Sequence, residues 1–279
     1  MNLVKVMKSS YQVIDDIKCY APEAVFENTD YPPEHFNLLF NIEANNFWFV
    51  SRNKILIYLF QKYIRNRSAK VLEIGCGTGF VLSGLSKLKN SNLSGAELHI
   101  EGLRYAKKRL PEVEFIQLDM RKTPYENEFD AVGAFDVLEH INDDFQVIEN
   151  IHKTLKPNGL FFMSVPQHMW LWSTQDETAY HKRRYSRKEM TDKLNQAGFF
   201  VEFTSSFVFT LLPLMFLSRL RRKKKTPGEE VKYNYDELKL PKLFNKIAGL
   251  FMSVDELLIK AGLSLPFGGS LIVVARKKS

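Results

Sequence analysis

The fold is decided by the stretch Val71-Leu72-Glu73-Ile74-Gly75-Cys76-Gly77-Thr78-Gly79, in which an apolar run leads into three alternating glycines. This pattern predicts a buried parallel strand that ends in a tight glycine turn, with a helix starting near Thr78. Glycine has no Cβ, so the backbone there can approach a bound nucleotide closely. A glycine-rich turn is a weak signal by itself, and its meaning depends on the strands that follow it.

Strands and helices alternate after this turn. We predict a doubly wound, mostly parallel α/β sheet of seven strands, which binds ligands at the carboxyl ends of the strands. The strands predicted after the first one are 93–97, 113–118, 129–135, 160–165, 199–209 and 270–275. Three acids, Glu73, Glu97 and Asp119, mark the carboxyl ends of the first three strands. Three acids behind one glycine turn suit a ligand with three separate polar parts.

The region before the first strand is aromatic and helical in pattern. The weak periodicity of residues 1–33 predicts a loosely structured N-terminal lead-in segment with one short helix. The pattern of residues 34–66 predicts helices that are interrupted near Arg52 and Asn53. An arginine beside aromatic residues such as Trp48 at a helix start is suited to grip a carboxylate or a phosphate.

Two later segments are unusual. Residues 166–186 are rich in Trp, His and Arg, which argues for a functional loop and against disorder. Residues 210–217 are apolar and lead into Arg219–Lys225, where six of seven residues are basic. We therefore predict four parts: 1–66 as N-terminal segment and helical lid, 67–209 as cofactor-binding core, 210–269 as helical insertion, and 270–279 as final core strand.

Composition and cysteine content indicate in which cellular compartment we expect the protein. The 279 residues are 45% hydrophobic and 25% charged, which is ordinary for a globular protein, and the net charge is +7. Two distant cysteines favour a reduced, cytoplasmic protein. We see no secretory signal and no apolar run of the roughly 18 to 20 residues that a membrane span needs. The basic segment leaves open a peripheral position at the inner face of a membrane.

The acid followed by glycines at alternate positions resembles the signature of the class I S-adenosylmethionine-dependent methyltransferases. A nicotinamide-dependent dehydrogenase would carry its third glycine one position later, where this chain has Phe80. The resemblance implies S-adenosyl-L-methionine as cofactor and S-adenosyl-L-homocysteine as product. It implies that Glu97 binds the ribose hydroxyls, that Asp119 receives the adenine amino group, and that Glu73 lies near the methionine ammonium. The full set of cofactor residues that we predict is Arg52, Glu73, Gly75, Cys76, Gly77, Gly79, Glu97, Leu98, Asp119, Met120 and Phe135.

The acceptor side is predicted from the histidines and the aromatic loop. A hydroxyl acceptor must lose a proton, and a histidine is suited to take it. We predict His140 and His181 as catalytic residues, no metal ion, and a small or lipid-linked anionic acceptor that is methylated on oxygen. The residues predicted to cover it are Trp48, His168, Trp172, Arg184 and Tyr185.

Several alternatives stay open at this point. The protein could be a catalytically silent S-adenosylmethionine-binding scaffold or sensor at a membrane, or an RNA methyltransferase. The basic insertion could lie on an anionic membrane surface, form a homodimer or core contact through the amphipathic helix 242–262, or bind nucleic acid. Nucleic acid is the least favoured of these, because the flanks of the basic run are aliphatic.

Overall fold

A computed structural model of the protein describes residues 11–24, 32, 34–65, 68–88, 91–220 and 240–279. The basic residues Arg221–Lys225 and the loop predicted at 226–230 lie outside this part of the chain. The same holds for most of the lead-in predicted at 1–33.

The described chain forms one sheet with helices on both faces, so the predicted α/β, doubly wound fold is confirmed. The strands are β1 (Gln12–Ile14), β2 (Ile17–Cys19), β3 (Ala69–Ile74), β4 (Ser91–Glu97), β5 (Glu114–Gln117), β6 (Phe129–Phe135), β7 (Leu155–Pro166), β8 (Phe199–Phe207) and β9 (Ser270–Lys277). The α-helices are α1 (Glu34–Ile42), α2 (Phe47–Ile64), α3 (Phe80–Leu85), α4 (Ile100–Arg109), α5 (Asp144–Thr154), α6 (Thr174–Thr178), α7 (Arg187–Gln196), α8 (Leu212–Leu220) and α9 (Lys242–Lys260). Short 3₁₀ helices lie at Met120–Lys122, Leu138–His140 and Met169–Leu171.

The sheet has nine strands in the order β1-β2-β5-β4-β3-β6-β7-β9-β8, which corrects the predicted seven. The two additional strands, β1 and β2, come from the lead-in that was predicted to be loose. Strand β2 pairs parallel to β5, and its Ile17 and Cys19 are buried. Three-residue strands carry too little alternation to be recognised in a sequence.

The strand order reverses between β4 and β6, which lie on either side of β3. Such a switch point opens a crevice at the carboxyl ends of parallel strands, where ligands of open α/β sheets bind. The glycine turn after β3 lies at this crevice. Strand β9 lies antiparallel between β7 and β8 and completes the other half of the sheet.

The helices bury the two faces in separate cores. One face is covered by α2, α3, α4 and α9 with residues such as Leu59, Leu82 and Met252, and the other by α5 and α7 with Ile148 and Leu194. Strands buried on both faces explain the nearly continuous apolar runs in the sequence.

Helix α2 begins earlier than predicted. The interruption lies at residues 43–46, and the Asn46 side chain caps the helix by accepting from the Trp48 backbone N–H at 2.9 Å. Arg52 therefore lies inside the helix. The sequence interpretation had taken the Arg-Asn pair as the start because it breaks the apolar pattern.

Helix α9 presents outward the apolar residues that made the sequence at 242–262 amphipathic. Leu243 and Leu257 are 71% and 66% exposed, whereas Ala248 and Met252 on the opposite face are buried. The stripe thus does not pack on the core of this chain. Within the described residues, no helix is both long enough and apolar enough to cross a bilayer. The predicted four-part division is not tested by these features and stays a prediction.

Candidate active site

The glycine turn adopts the left-handed backbone that its sequence predicts. Gly75, Gly77 and Gly79 have φ angles of 62°, 51° and 74°. A Cβ on Gly75 would lie 2.5 Å from a Val137 methyl group, so packing forbids a side chain there. A Cβ on Gly77 would meet nothing within 4 Å, which leaves open space beside the backbone for a ligand.

The Glu97 carboxylate caps the turn from the neighbouring strand. It accepts hydrogen bonds from the backbone N–H groups of Gly77 at 3.1 Å, Leu98 at 2.8 Å and His99 at 3.1 Å. These bonds fix the end of β4 against the glycine turn. Glu97 and Leu98 therefore lie together at the crevice, as predicted.

Asp119 also lies at this edge, but its carboxylate has an internal partner. Arg121 donates to it through its backbone N–H at 2.9 Å and through its guanidinium at 2.7 to 3.0 Å. The neighbouring Met120 is buried. A ligand amino group would therefore share Asp119 with Arg121.

Glu73 is buried at the end of β3, and its Oε2 has no hydrogen-bond partner among the described residues. Burial raises the pKa of Glu73 to about 8, against the opposing charge of Arg52. A cation that arrives beside this carboxyl group would favour its ionised form. Burial likewise raises the pKa of the adjacent Cys76 thiol, which keeps the thiol protonated.

Arg52 pairs with Asp136, the residue that follows β6. Its guanidinium also lies over the rings of Trp48 at 4.6 Å and Phe49 at 5.6 Å. Arg52 thus joins the helical lid to the sheet edge through a carboxylate of its own chain. Phe135 points the other way, because its ring is buried beside Phe60. Its side chain belongs to the core, so only the Phe135 backbone remains for the predicted cofactor contact, which stays a prediction.

The acceptor side is built where the 3₁₀ helix after β6 meets the loop after β7. The rings of His140 and His181 lie 4.9 Å apart at an angle of 73°. Glu139 lies beside them, fully buried, with no hydrogen-bond partner for either carboxylate oxygen among the described residues. The backbone N–H of Lys182 donates to the Glu139 carbonyl at 2.8 Å and ties the two segments together.

A buried network orients His181. Its Nδ1 lies 2.9 Å from Asp176 Oδ1, and Arg184 Nε donates to the same oxygen at 2.7 Å. Burial opposes ionisation of Asp176, but the hydrogen bond from His181 and the Arg184 charge hold its pKa below the usual value. Asp176 is thus an acceptor, and His181 donates to it through Nδ1.

His140 is held in the neutral form. Burial, followed by the influence of His181, lowers the pKa of His140 to about 3, although a hydrogen bond to the Tyr180 backbone opposes this shift. A hydrogen bond that raises the pKa of a base goes to an acceptor, so this one is donated to a backbone carbonyl. The other ring nitrogen therefore offers a lone pair near neutral pH.

Two of the predicted lid residues are structural. Tyr185 is completely buried, with its hydroxyl 3.1 Å from the Leu138 carbonyl and 2.8 Å from Asp144. Arg184 is only 6% exposed and is bound by Asp176. This corrects the prediction that Arg184 and Tyr185 contact an acceptor, because neither side chain reaches open space.

The other lid residues are partly exposed. Trp48 stacks on Phe207, His168 stacks on Trp170 at 5.1 Å, and Trp172 is 3.4 Å from Glu177. The sequence did not single out Glu139 or Asp176. The acid directly before His140 was the one available signal, and nothing in the sequence indicated that it faces His181.

Family comparison adds to this geometry. Residues 72–163, which contain the glycine turn, the three strand-end acids and His140, match a family model described as a methyltransferase domain. This segment is therefore similar to the methyltransferase domains that use S-adenosylmethionine. The cofactor of this family, S-adenosylmethionine, fits the edge formed by the open space at Gly77 and the buried Glu73 carboxyl group.

Relatives and solved structures agree on the methyltransferase fold. A probable S-adenosylmethionine-dependent methyltransferase of Mycolicibacterium smegmatis is 27% identical over 58% of this chain and 63% of its own length. A ubiquinone biosynthesis O-methyltransferase of Actinobacillus pleuropneumoniae is 30% identical over 39% of this chain and 50% of its own length. The structure of Haemonchus contortus phosphoethanolamine N-methyltransferase 2 with S-adenosyl-L-methionine has a TM-score of 0.60 and 17% identity, covering 92% of this chain and 60% of that one.

The chain spans 63% and 50% of the length of these two curated relatives. At 17% identity, the structural neighbour shows the fold alone.

Proposed function

We propose that this methyltransferase transfers the methyl group of S-adenosylmethionine to an oxygen of a small-molecule or lipid-linked acceptor. The observation that carries the proposal is the contact between His140, which follows β6, and His181, from the loop after β7, with rings 4.9 Å apart. Neutral imidazoles are suited to accept the proton that a hydroxyl must lose.

The donor half of the site follows from the strand ends. Gly75, Gly77 and Gly79 shape the turn. In this proposal Glu97 binds the ribose, Asp119 the adenine and Glu73 the methionine ammonium, and the position of these acids at neighbouring strand ends supports it. When bound, the cofactor supplies a sulfonium methyl group that is already electrophilic. The protein therefore has to align the acceptor and exclude water.

The acceptor half lies under the proposed lid, residues 36–53 and 166–186. Arg52 holds the first segment to Asp136, and the His140–His181 contact holds the second. The similar ubiquinone biosynthesis O-methyltransferase supports oxygen as the acceptor atom.

Two measurements test this function. We expect calorimetry to show binding of S-adenosylmethionine to the full chain, and labelled cofactor to transfer its methyl group into a small-molecule or lipid fraction of an extract. His140→Gln and His181→Gln should keep cofactor binding and lose transfer. Absence of cofactor binding by the folded protein would contradict the proposal.

A catalytically silent cofactor-binding scaffold is the second candidate. The internal pairing of Asp119 with Arg121 and of Arg52 with Asp136 favours it, because these groups already have partners. It predicts cofactor binding without methyl transfer into any fraction, RNA included. Label found in RNA, with salt-sensitive binding, would instead indicate an RNA methyltransferase.

We further propose that α9 and the adjoining basic run lie on an anionic membrane surface at the inner face of the membrane. The exposed stripe Leu243, Leu250 and Leu257 and the exposed Leu214 and Leu217 of α8 are apolar, and the basic run follows α8 directly. Apolar area next to clustered lysine and arginine is the composition of an interfacial anchor.

Vesicle sedimentation tests the membrane proposal. The full chain should sediment with vesicles that contain anionic lipid, and a Leu243→Ser, Leu250→Ser, Leu257→Ser triple variant should not. Phe200→Ser, which removes an exposed aromatic ring far from the stripe in sequence, is the matched control and should sediment as before. If the triple variant instead turns a dimer into a monomer and vesicle binding is unchanged, the stripe is a homodimer interface.

A further inference from the structure

Glu139, His140 and His181 bring three metal-ligating groups to one place. Their nearest ligand atoms all lie within 4.8 Å of one another, and His181 Nε2 is 3.9 Å from Glu139 Oε1. Two of these residues follow β6, whereas the third comes from the loop after β7. A cluster drawn from two segments, with Glu139 buried and both histidines half-buried, is held by the fold and is more specific than acids that happen to share a surface.

The Glu139 carboxylate gives independent support. It is fully buried, and neither oxygen has a hydrogen-bond partner within the described residues. Leaving a buried carboxylate without partners costs several kcal/mol, so such a group calls for a cation close to it. The nearby guanidiniums of Arg52 and Arg184 are already bound by Asp136 and Asp176.

Both imidazoles are oriented as metal ligands are. Asp176 accepts from His181 Nδ1 and is itself fixed by Arg184, which leaves Nε2 directed toward Glu139. A carboxylate that holds the far nitrogen of a histidine is the usual outer partner of a metal-ligating histidine. The Tyr180 backbone plays the same part for His140.

The donor set selects the kind of ion. Two imidazole nitrogens and one carboxylate oxygen suit zinc and related first-row divalent ions, whereas magnesium and calcium prefer oxygen alone. Ligands of a tetrahedral zinc ion lie about 3.4 Å apart, given bonds of about 2.1 Å. The observed separations need side-chain shifts of roughly 1 Å. Three protein ligands leave at least one position for another molecule.

We propose that Glu139, His140 and His181 form a binding site for a divalent transition-metal ion, with the acceptor hydroxyl oxygen as a further ligand. The role of the hydroxyl rests on the proposed function, whereas ion binding does not. This proposal departs from the sequence prediction of no metal, which had no means of joining His181 to residues 139 and 140.

The chemistry balances without any other reactant. The ion withdraws charge from the bound hydroxyl and lowers its pKa, so its proton leaves to water at the mouth of the crevice. A lone pair of the resulting oxyanion then forms a bond to the sulfonium methyl carbon. The carbon–sulfur bond breaks toward sulfur, which becomes the neutral thioether of S-adenosylhomocysteine. In this arrangement the two histidines hold the ion, and loss of the proton to water replaces the direct proton acceptance by histidine described above; methyl transfer to oxygen is the same in both.

Metal titration tests the site without reference to activity. Chelator-treated full-length protein is titrated with Zn²⁺ by calorimetry and with Co²⁺ by visible absorption, which reports the ligand geometry. We expect one equivalent to bind, and at least about a tenfold loss of affinity in Glu139→Gln and in His181→Ala. His152→Gln, a histidine that packs on Phe199 outside the cluster, is the matched control and should bind as the wild type does.

Each outcome decides the proposal. Absence of stoichiometric Zn²⁺ or Co²⁺ binding, or binding that survives both cluster variants, would overturn it and leave a plain His181–Glu139 ion pair. If circular dichroism shows that a cluster variant is unfolded, Asp176→Asn replaces it, with an expected loss of about 10- to 100-fold. Cofactor binding is measured on the same samples. Cofactor binding without metal uptake contradicts only the ion site, and metal uptake without methyl transfer contradicts only the proposed function.

Discussion

The two halves of the crevice hold their acids differently. On the donor side, Glu97 accepts from three backbone N–H groups and Asp119 is bound by Arg121. On the acceptor side, both oxygens of Glu139 lack a hydrogen-bond partner among the described residues, although residues 176–184 hold the histidines around it in fixed orientation. Glu97 and Asp119 on the donor side are thus satisfied by their own chain and only Glu73 Oε2 there is without a described partner, whereas the acceptor side is oriented but incomplete. An incomplete yet oriented cluster is typical of a site that acts on another molecule.

The largest effect is expected at Glu139. Glu139→Gln keeps the shape but cannot supply a carboxylate to a bound ion, so turnover should fall by about 10²- to 10⁴-fold, while the dissociation constant for S-adenosylmethionine stays within about twofold. Glu149→Gln on the exposed side of α5 is the control and should change neither turnover nor the dissociation constant for S-adenosylmethionine. Loss of cofactor binding in Glu139→Gln would show that the acceptor side and the donor side of the crevice do not act independently.

A pair of glycine variants is next. Gly77→Ala should weaken cofactor binding by at least about tenfold, since its Cβ occupies the open space, and should cost about 1 kcal/mol of stability for its positive φ. Gly75→Ala shares the positive φ but also meets Val137, so it should cost about 1–3 kcal/mol more. Calorimetry and urea denaturation measure the two quantities. Equal stability of the two variants would contradict the packing account.

Asp176→Asn should have a smaller effect on turnover, about 10- to 100-fold, because His181 loses the charged carboxylate that orients its ring. Cofactor affinity should be unchanged, which a general loss of structure would not allow. Asp192→Asn, which removes an exposed pair with Lys188 on α7, should leave turnover as it is.

A further prediction, on stability and not on turnover, is a pH dependence at Glu73. Its pKa is raised from 4.5 to about 8, and the charges that act on it are those of Arg52, Glu43 and Glu97. The unfolded state therefore releases this proton at lower pH than the folded state, and the stability contribution is lost as pH rises from about 4.5 to 8. Glu73→Gln should unfold like the wild type at pH 5 and be more stable by a few kcal/mol at pH 8.5. The same difference in unfolding free energy between Glu73→Gln and the wild type at pH 5 and at pH 8.5, measured by urea denaturation, would contradict this.

The donor side was predictable because its signals are local. Gly75, Gly77, Glu97 and Asp119 follow their strands directly, and parallel strands bring their carboxyl ends to one edge. The acceptor side was not, since His181 reaches Glu139 only through folding of the loop after β7. Arg184 shows the same limit, because an arginine that binds an internal carboxylate looks the same in sequence as one that binds a substrate.

The fold was predictable to a similar extent. Alternating strands and helices gave the parallel sheet, whereas the short strands β1 and β2 depend on pairing with β5. The sequence indicated the apolar face of α9, but it did not indicate that this face points away from the core. Helical spacing identifies a face, and only packing against α2 shows that Ala248 and Met252 are the buried side.

The position of β9 has a consequence for the order of folding. This strand lies between β7 and β8, yet it follows both in the chain, after α8 and α9. During synthesis on the ribosome, the edges of β7 and β8 that pair with β9 stay without their partner until β9 has been made. Unpaired strand edges are prone to associate with other chains. We therefore expect nascent chains arrested between Phe207 and Ser270 to depend on chaperones, and the two halves of the sheet to join only when β9 is inserted.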